Sequence, residues 1–365
     1  MARLFIPGPT DVHPNVLTAQ AQPMIGHRGA DFTSLFARLQ PKLRQVFLTQ
    51  SRVYISTSSG TGLQEAAIRN GVARKVLSCI NGAFSARWHE VAVANDKEAT
   101  RLDVEWGKAI KPEMVNAALA AGGFDALTVV HNETSTGVVG PVQDIAALVH
   151  ERYPEVTIMV DAVSSLGGDR LDFDEWGLDV LLTSSQKCLA VPPGLSLAAV
   201  SDRTLEKARQ VPSRGLYFDF VELEEYLLKN QTPSTPAISL MWALDAALDR
   251  ILAEGLEARF ERHAQMADRV RAWAAAEFDL FAEEGYRSQT VTCVKNTRGL
   301  DVKALNAHLR SRGMQISDGY GRLKGSTFRI AHMGEIRTAD VEVVLAAMDE
   351  FIAKTFLHEP TGGCA

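Results

Sequence analysis

Two charged residues stand where apolar runs end. Asp161 closes the stretch Val156-Thr-Ile-Met-Val160, and Lys187 follows Val180-Leu-Leu182 through Thr-Ser-Ser-Gln. Runs this short and β-branched, bounded by turn residues, predict buried strands of a parallel sheet. Ligand crevices in open α/β sheets lie at the carboxyl ends of the strands. The pattern therefore predicts that a carboxylate and a primary amine reach one crevice. Together they could run carbonyl–amine chemistry. The amine condenses with an aldehyde, and the carboxylate keeps an aromatic ring nitrogen protonated so that the ring takes up electrons. Taken singly, neither residue says so much. A lysine after a strand is ordinarily solvated, and an aspartate at a strand end ordinarily caps a helix.

The elements that would position this pair can be read in order. Asp31–Leu48 carries Phe32, Leu35, Phe36, Leu39, Leu43, Val46 and Phe47 at helical spacing, which predicts an amphipathic helix. Val53–Thr57 predicts a strand, followed by the turn Ser58-Ser-Gly-Thr-Gly62 and a helix from Leu63. A strand, a small-residue turn and a helix N-terminus can hold an anion on free backbone N–H groups. No Gly-Lys-Ser/Thr and no full GxGxxG follows, so neither a P-loop nor a dinucleotide fingerprint is present. Further strands are expected at Val76–Ile80 and Ala126–Val130, and a helix at Pro141–Arg152. Alternating strands and helices between residues 50 and 200 predict a mostly parallel, helix-covered sheet. A long helix is expected over Ile238–Leu252. Beyond Gly255 come a charged helix to Phe278, strands at Val291–Val294 and Thr327–Ala331, and helices at Val302–Arg312 and Thr338–Lys354.

Composition narrows the class. The chain has 365 residues, 46% hydrophobic and 22% charged, enough for two domains. A net charge of −6 gives no electrostatic reason to expect nucleic acid. No apolar run has membrane-spanning length, and residues 1–20 do not read as a signal peptide. Cys79, Cys188, Cys293 and Cys364 lack CxxC or metal-ligand spacing. They read as reduced thiols in a cytoplasmic protein, with no metal site. The last five residues, Thr361–Ala365, read as a frayed tail.

An aspartate and a lysine at strand ends are what pyridoxal 5′-phosphate (PLP) requires, and their flanks point the same way. Ser184-Ser-Gln186-Lys187 before Pro192-Pro-Gly194 resembles the cofactor-lysine segment of class V aminotransferases, and Asp161-Ala-Val-Ser-Ser-Leu-Gly-Gly168 resembles their aspartate segment. The likeness is to alanine–glyoxylate and serine–glyoxylate (serine–pyruvate) aminotransferases, and it runs through nearly the whole chain. It implies the fold of type I PLP enzymes: a large domain with a seven-stranded, mostly parallel sheet over 21–254, after an N-terminal arm over 1–20, and a small α+β domain over 255–365. It implies a phosphate cradle at Ser59, Gly60 and Thr61 and a ring stacked on Phe84, where relatives often carry Trp. It implies cofactor contacts from Thr134 in His131-Asn-Glu-Thr-Ser-Thr-Gly137 and from Gln186. Glu133 of that segment could equally be only a cap for the helix near Pro141. Gly26 and His27 would line the substrate mouth. Phe328-Arg329-Ile330, followed by His332-Met-Gly334, implies that Arg329 pairs with the substrate carboxylate through a planar fork.

The resemblance further implies a homodimer with shared active sites, the loop Gln231–Pro236 reaching the partner's cofactor phosphate through Thr235. The expected reaction moves an amino group from alanine or serine to glyoxylate or pyruvate by a ping-pong route. Aspartate, phosphoserine or aminoethylphosphonate are alternative donors. A cysteine desulfurase would carry His in place of Phe84 and a Cys within 315–328, and neither is present. A catalytically silent relative, of the kind associated with hydrogenases, would have no need of Asp161, Lys187 and Arg329 together.

Overall fold

The computed structural model describes residues 3–356; the tail expected to fray lies outside them. Where apolar periodicity predicts an element, the structure has one with nearly the same bounds. The helix predicted from Asp31 spans Ala30–Phe47, and all seven of its predicted apolar positions are buried. The strands after it run Arg52–Ser56, Lys75–Ile80, Ala126–Val130, Thr157–Asp161 and Val180–Ser184. The last three of these are buried at every position. Burial on both faces is why they read as continuous apolar runs rather than alternating ones.

These strands form a seven-stranded sheet in the order Arg52–Ser56, Ser196–Val200, Val180–Ser184, Thr157–Asp161, Ala126–Val130, Lys75–Ile80, Glu98–Asp103. Ser196–Val200 runs antiparallel to both neighbours. The other pairs are parallel. Because Thr157–Asp161 and Val180–Ser184 are adjacent and parallel, Asp161 and the Lys187 loop leave the sheet from the same edge.

A second sheet of five strands has the order Arg3–Phe5, Met314–Asp318, Thr327–Ala331, Val291–Lys295, Asp279–Leu280. Helices Leu256–Glu277, Val302–Ser311 and Thr338–Phe356 follow in the same stretch of chain. Phe5, Phe328, Ile330, Leu305 and Leu345 share its separate apolar core. The first strand of the chain therefore belongs to the C-terminal sheet. Its Arg3 donates to Asp340 Oδ1 at 2.6 Å, which pins the strand to the last helix. Among the described residues no helix is long and apolar enough to cross a membrane.

Candidate active site

A cavity of about 220 Å³ opens at the carboxyl ends of the central strands, and Asp161, Ser184, Gln186 and Lys187 all line it. Asp161 is 4% exposed. Its carboxylate accepts from Val163 N at 2.9 Å, Gln64 Nε2 at 2.7 Å and Trp88 Nε1 at 3.3 Å. No cation pairs with it among the described residues. Burial pushes its carboxyl above the usual carboxylate range, and Glu133 adds to this, while the three donors work against it.

Lys187 is held by its backbone and covered by the chain start. Thr10 donates from its N to Gln186 O at 3.1 Å and from Oγ1 to Lys187 O at 3.0 Å. Lys187 Nζ donates to Pro7 O. Gly8 has a φ of +114°, and a Cβ there would lie 2.5 Å from Lys187 Nζ, so only glycine suits the approach. Burial brings the Lys187 amine down to about 8, and nearby Arg329 pushes the same way; Cys188 and Asp161 oppose them.

The expected anion cradle is a helix start. Helix Gly60–Gly71 has Ser59 as an extended N-cap whose side chain caps nothing, leaving first-turn N–H groups for a ligand. Ser59, Gly60 and Thr61 line the cavity. A Cβ on Gly60 would stand 2.7 Å from Val163 Cγ2, so the glycine keeps the cradle open. Phe84 lines the cavity too. It lies in the first turn of helix Ala83–Ala94, which also carries Trp88 to Asp161.

Glu133 departs from expectation. It is fully buried, and it accepts from Phe84 N at 3.3 Å, Ser85 N at 2.8 Å, Ser85 Oγ at 2.9 Å and Ser135 Oγ at 2.6 Å. It therefore caps the helix that presents Phe84, not the one near Pro141. A carboxylate at a helix N-terminus satisfies orphan donors and favours the dipole.

Arg329 sits on the middle strand of the second sheet and is 7% exposed. Its Nη1 donates to Thr134 O at 3.3 Å, and Nε and Nη2 donate to Asp318 O at 3.2 Å. Its guanidinium lies 5.5 Å from the ring centre of Tyr320, which in turn is 5.1 Å from that of Phe84. No carboxylate pairs with Arg329 among the described residues, and burial weakens its hold on its proton. The link to Thr134, a cavity-lining residue, carries the arginine to the rim of the site.

Gly26, His27 and Thr235 are not brought to Lys187 within one chain. Thr235 borders a separate surface cleft with Thr57, Tyr217 and Pro233. Arg28, next to His27, donates to Thr232 O at 2.5 Å and Pro233 O at 2.8 Å, and so fixes the Gln231–Pro236 loop. Residues the sequence reading passed over include Gln64, Trp88, Arg87, Tyr320 and the Pro7 carbonyl. Trp88 had a usable signal: four residues after Phe84 on a helix, it shares its face.

The residues present fit PLP. Asp161 offers a buried carboxylate lacking a cation, as a protonated pyridine nitrogen requires. Gln64 Oε1, Asn132 Oδ1 and Ser184 Oγ, all beside the cavity, are buried without a hydrogen-bond partner. The glycine-floored helix start offers donors to a phosphate.

The family profile described as aminotransferase class-V matches residues 12–337. A protein of Methanocaldococcus jannaschii named an uncharacterized aminotransferase is 40% identical over 95% of this chain and 91% of its own length. A Synechococcus protein named the small subunit of a soluble hydrogenase is 34% identical over 97% of this chain and 93% of its own. The crystal structure of an alanine–glyoxylate aminotransferase from Nostoc superposes with a TM-score of 0.90 at 30% identity, covering 96% of this chain and 95% of that one. With the seven-stranded sheet and the Asp161–Lys187 cavity already in place, the match settles the family: this chain belongs to the class V aminotransferases, PLP-dependent enzymes that transfer amino groups.

Proposed function

We propose that the enzyme moves the amino group of a small donor, alanine or serine, to glyoxylate or pyruvate in two half-reactions at one site. The observation that carries the reading is a half-buried lysine and a buried aspartate facing one cavity, with an arginine that has no carboxylate partner among the described residues at its rim. Bound PLP supplies an aldehyde for amines and a ring that takes up electrons from the α-carbon. Asp161 would hold the proton on the ring nitrogen. Phe84 would support the ring face, with Ser59, Gly60 and Thr61 on the phosphate and Thr134 and Gln186 at the ring edge. Lys187, with its amine near 8, is suited to lift and return the proton of the substrate α-carbon. Arg329 would take the α-carboxylate in a two-pronged fork.

The proposal further takes the protein as a cytoplasmic homodimer, each partner lending Thr235 to the other's site, with Gly26 and His27 at the substrate mouth. It divides the chain into an arm over 1–20, a large domain over 21–254 and a small domain over 255–365. A role as a hydrogenase subunit, the name that one relative carries, does not account for Asp161, Lys187 and Arg329 standing together.

A steady-state screen tests the reading. Alanine, serine, aspartate, phosphoserine and aminoethylphosphonate would be paired with glyoxylate, pyruvate and 2-oxoglutarate. Alanine or serine with glyoxylate or pyruvate should give the highest kcat/KM. Aspartate in first place would transfer the assignment to the alternative donors. Borohydride treatment of the yellow holoenzyme should fix the cofactor to Lys187 in a peptide map. A protein that gains no visible band with PLP would sink the assignment.

A further inference from the structure

Three loops adjoin Asp161, Lys187 and Arg329 along the chain, and one buried side chain outside the cavity reaches all three. Arg259 lies in the first turn of helix Leu256–Glu277 and is 1% exposed. Its Nε donates to Gly167 O at 2.7 Å, in the loop that leaves Asp161. Its Nη2 donates to Cys188 O at 2.6 Å, one residue past Lys187, and to Gly334 O at 3.4 Å, in the turn that follows the Arg329 strand. Its Nη1 is fixed by Glu254 Oε2 at 2.7 Å.

The neighbours make this a closed joint. Glu254 also accepts from Arg262 Nε at 2.6 Å and Arg337 Nη1 at 2.8 Å. Burial would raise its carboxyl, but Arg262 and Arg259 hold it at about 2, so it stays charged. Arg262 Nη2 donates to Gly334 O at 3.2 Å. Gly334 N donates to His263 Nε2 at 3.2 Å, which requires the tautomer with its proton on Nδ1, facing Arg259 O at 2.7 Å. Gly334 has a φ of +73°, and a Cβ there would stand 3.4 Å from Lys187 O and 3.5 Å from Thr10 Oγ1. The turn after Arg329 thus lies directly on the backbone of Lys187.

A guanidinium can meet several carbonyls in fixed, planar directions, whereas an ammonium is a point charge. Burying one costs free energy unless its donors are paired, and here three loop carbonyls and a carboxylate pair them. Resting on the transaminase assignment above, we infer that Arg259 is a positioning residue for amino transfer, setting the amine of Lys187, the carboxylate of Asp161 and the guanidinium of Arg329 relative to one another. It touches neither substrate nor cofactor in this role. It acts through the backbone that presents the residues that do.

Arg259→Lys in the holoenzyme tests this. The lysine keeps the charge but cannot hold three loops at once. Misplacement of reacting groups by about 1 Å costs on the order of 100-fold in rate, so kcat per PLP-loaded site should fall by about that factor. The pH at which the visible cofactor band titrates should shift with it, because Asp161 and Lys187 no longer keep their spacing. A variant with a lowered thermal midpoint but wild-type kcat and an unshifted band would reduce Arg259 to a structural brace and overturn the inference. If Arg259→Lys does not fold, Glu254→Gln takes its place. It leaves the loop carbonyls but loosens the arm that aims the guanidinium, and should lower kcat about tenfold with the same band shift; an unchanged kcat overturns the inference. A wild-type protein with a cofactor band and amino transfer, beside full-rate variants, refutes this inference alone. A wild-type protein with neither refutes the transaminase assignment and this inference with it.

Discussion

Lys187, the amine proposed to meet the cofactor, has a shifted protonation equilibrium. Its amine is brought down to about 8 from an ordinary 10.5, chiefly by burial. The buried histidines do not titrate in that range: His131 is pushed to about 4 and His332 to about 3, both by burial, and His263 well below its usual value. Only a neutral amine attacks an aldehyde, so loading of the apo-protein with PLP should speed up as pH rises through about 8 and then level off. Growth of the visible band in a stopped-flow series measures it; a midpoint near 10 would show the amine to be solvated. The stability consequence has a definite sign. The unfolded chain binds a proton at Lys187 that the folded apo-protein releases above about 8, so this site's destabilisation is full below 8. It is relieved between about 8 and 10.5.

Arg329 is tested by its conservative partner. Both substrates of a ping-pong aminotransferase carry the carboxylate it would bind, and they use one site in turn. Arg329→Lys should leave the visible band unchanged and raise KM for donor and acceptor alike. Loss of a buried, hydrogen-bonded charge pair costs roughly 2–5 kcal/mol. That amounts to a fall in kcat/KM on the order of a hundredfold or more. An effect on only one substrate would show that Arg329 does not serve both half-reactions.

At the scale of elements, helix Gly60–Gly71 has one narrow point. Gly60 meets Val163 so closely that an added Cβ would have to displace its Cγ2 from 2.7 Å. Val163 belongs to the Asp161 loop and donates to that carboxylate. Gly60→Ala should therefore weaken PLP retention several-fold in equilibrium dialysis, while the thermal midpoint of the apo-protein moves little. Equal retention would show that the loop yields freely. What was legible in the sequence follows the same physics. Strands buried on both faces write themselves as apolar runs, and these gave Asp161 and Lys187. Ser196–Val200 was passed over, because Ser-Leu-Ala-Ala-Val carries weak β preference and its place between two strands is a tertiary fact. Arg3–Phe5 is too short to signal at all, and its parallel partner lies more than 300 residues on. Glu133 meets the helix it caps only across the sheet. Arg259 left a trace: it occupies the buried face shared with His263, Met266 and Val270, where a charge is out of place.

At the scale of the molecule, several large apolar side chains are left in solvent. Leu216 is 78% exposed, Leu228 72%, Met24 72% and Tyr217 49%. Tyr217 borders the cleft that holds Thr235, and Arg28 fastens the same loop two residues after Gly26. A contiguous exposed apolar patch marks a surface where subunits can meet. The proposed dimer would cover them and carry Thr235 of each chain to the phosphate cradle of the other. Light scattering of the holoenzyme should then give twice the chain mass. Leu216→Arg, placing a charge in the covered face, should favour the monomer and lose PLP faster on dilution. Thr235→Ala should remain dimeric yet also lose PLP faster, since it removes a hydroxyl and no apolar contact. The two variants separate assembly from cofactor binding. A Leu216→Arg monomer that keeps full activity would show that each chain builds its site alone, and Thr235 would then belong only to the surface cleft beside Thr57.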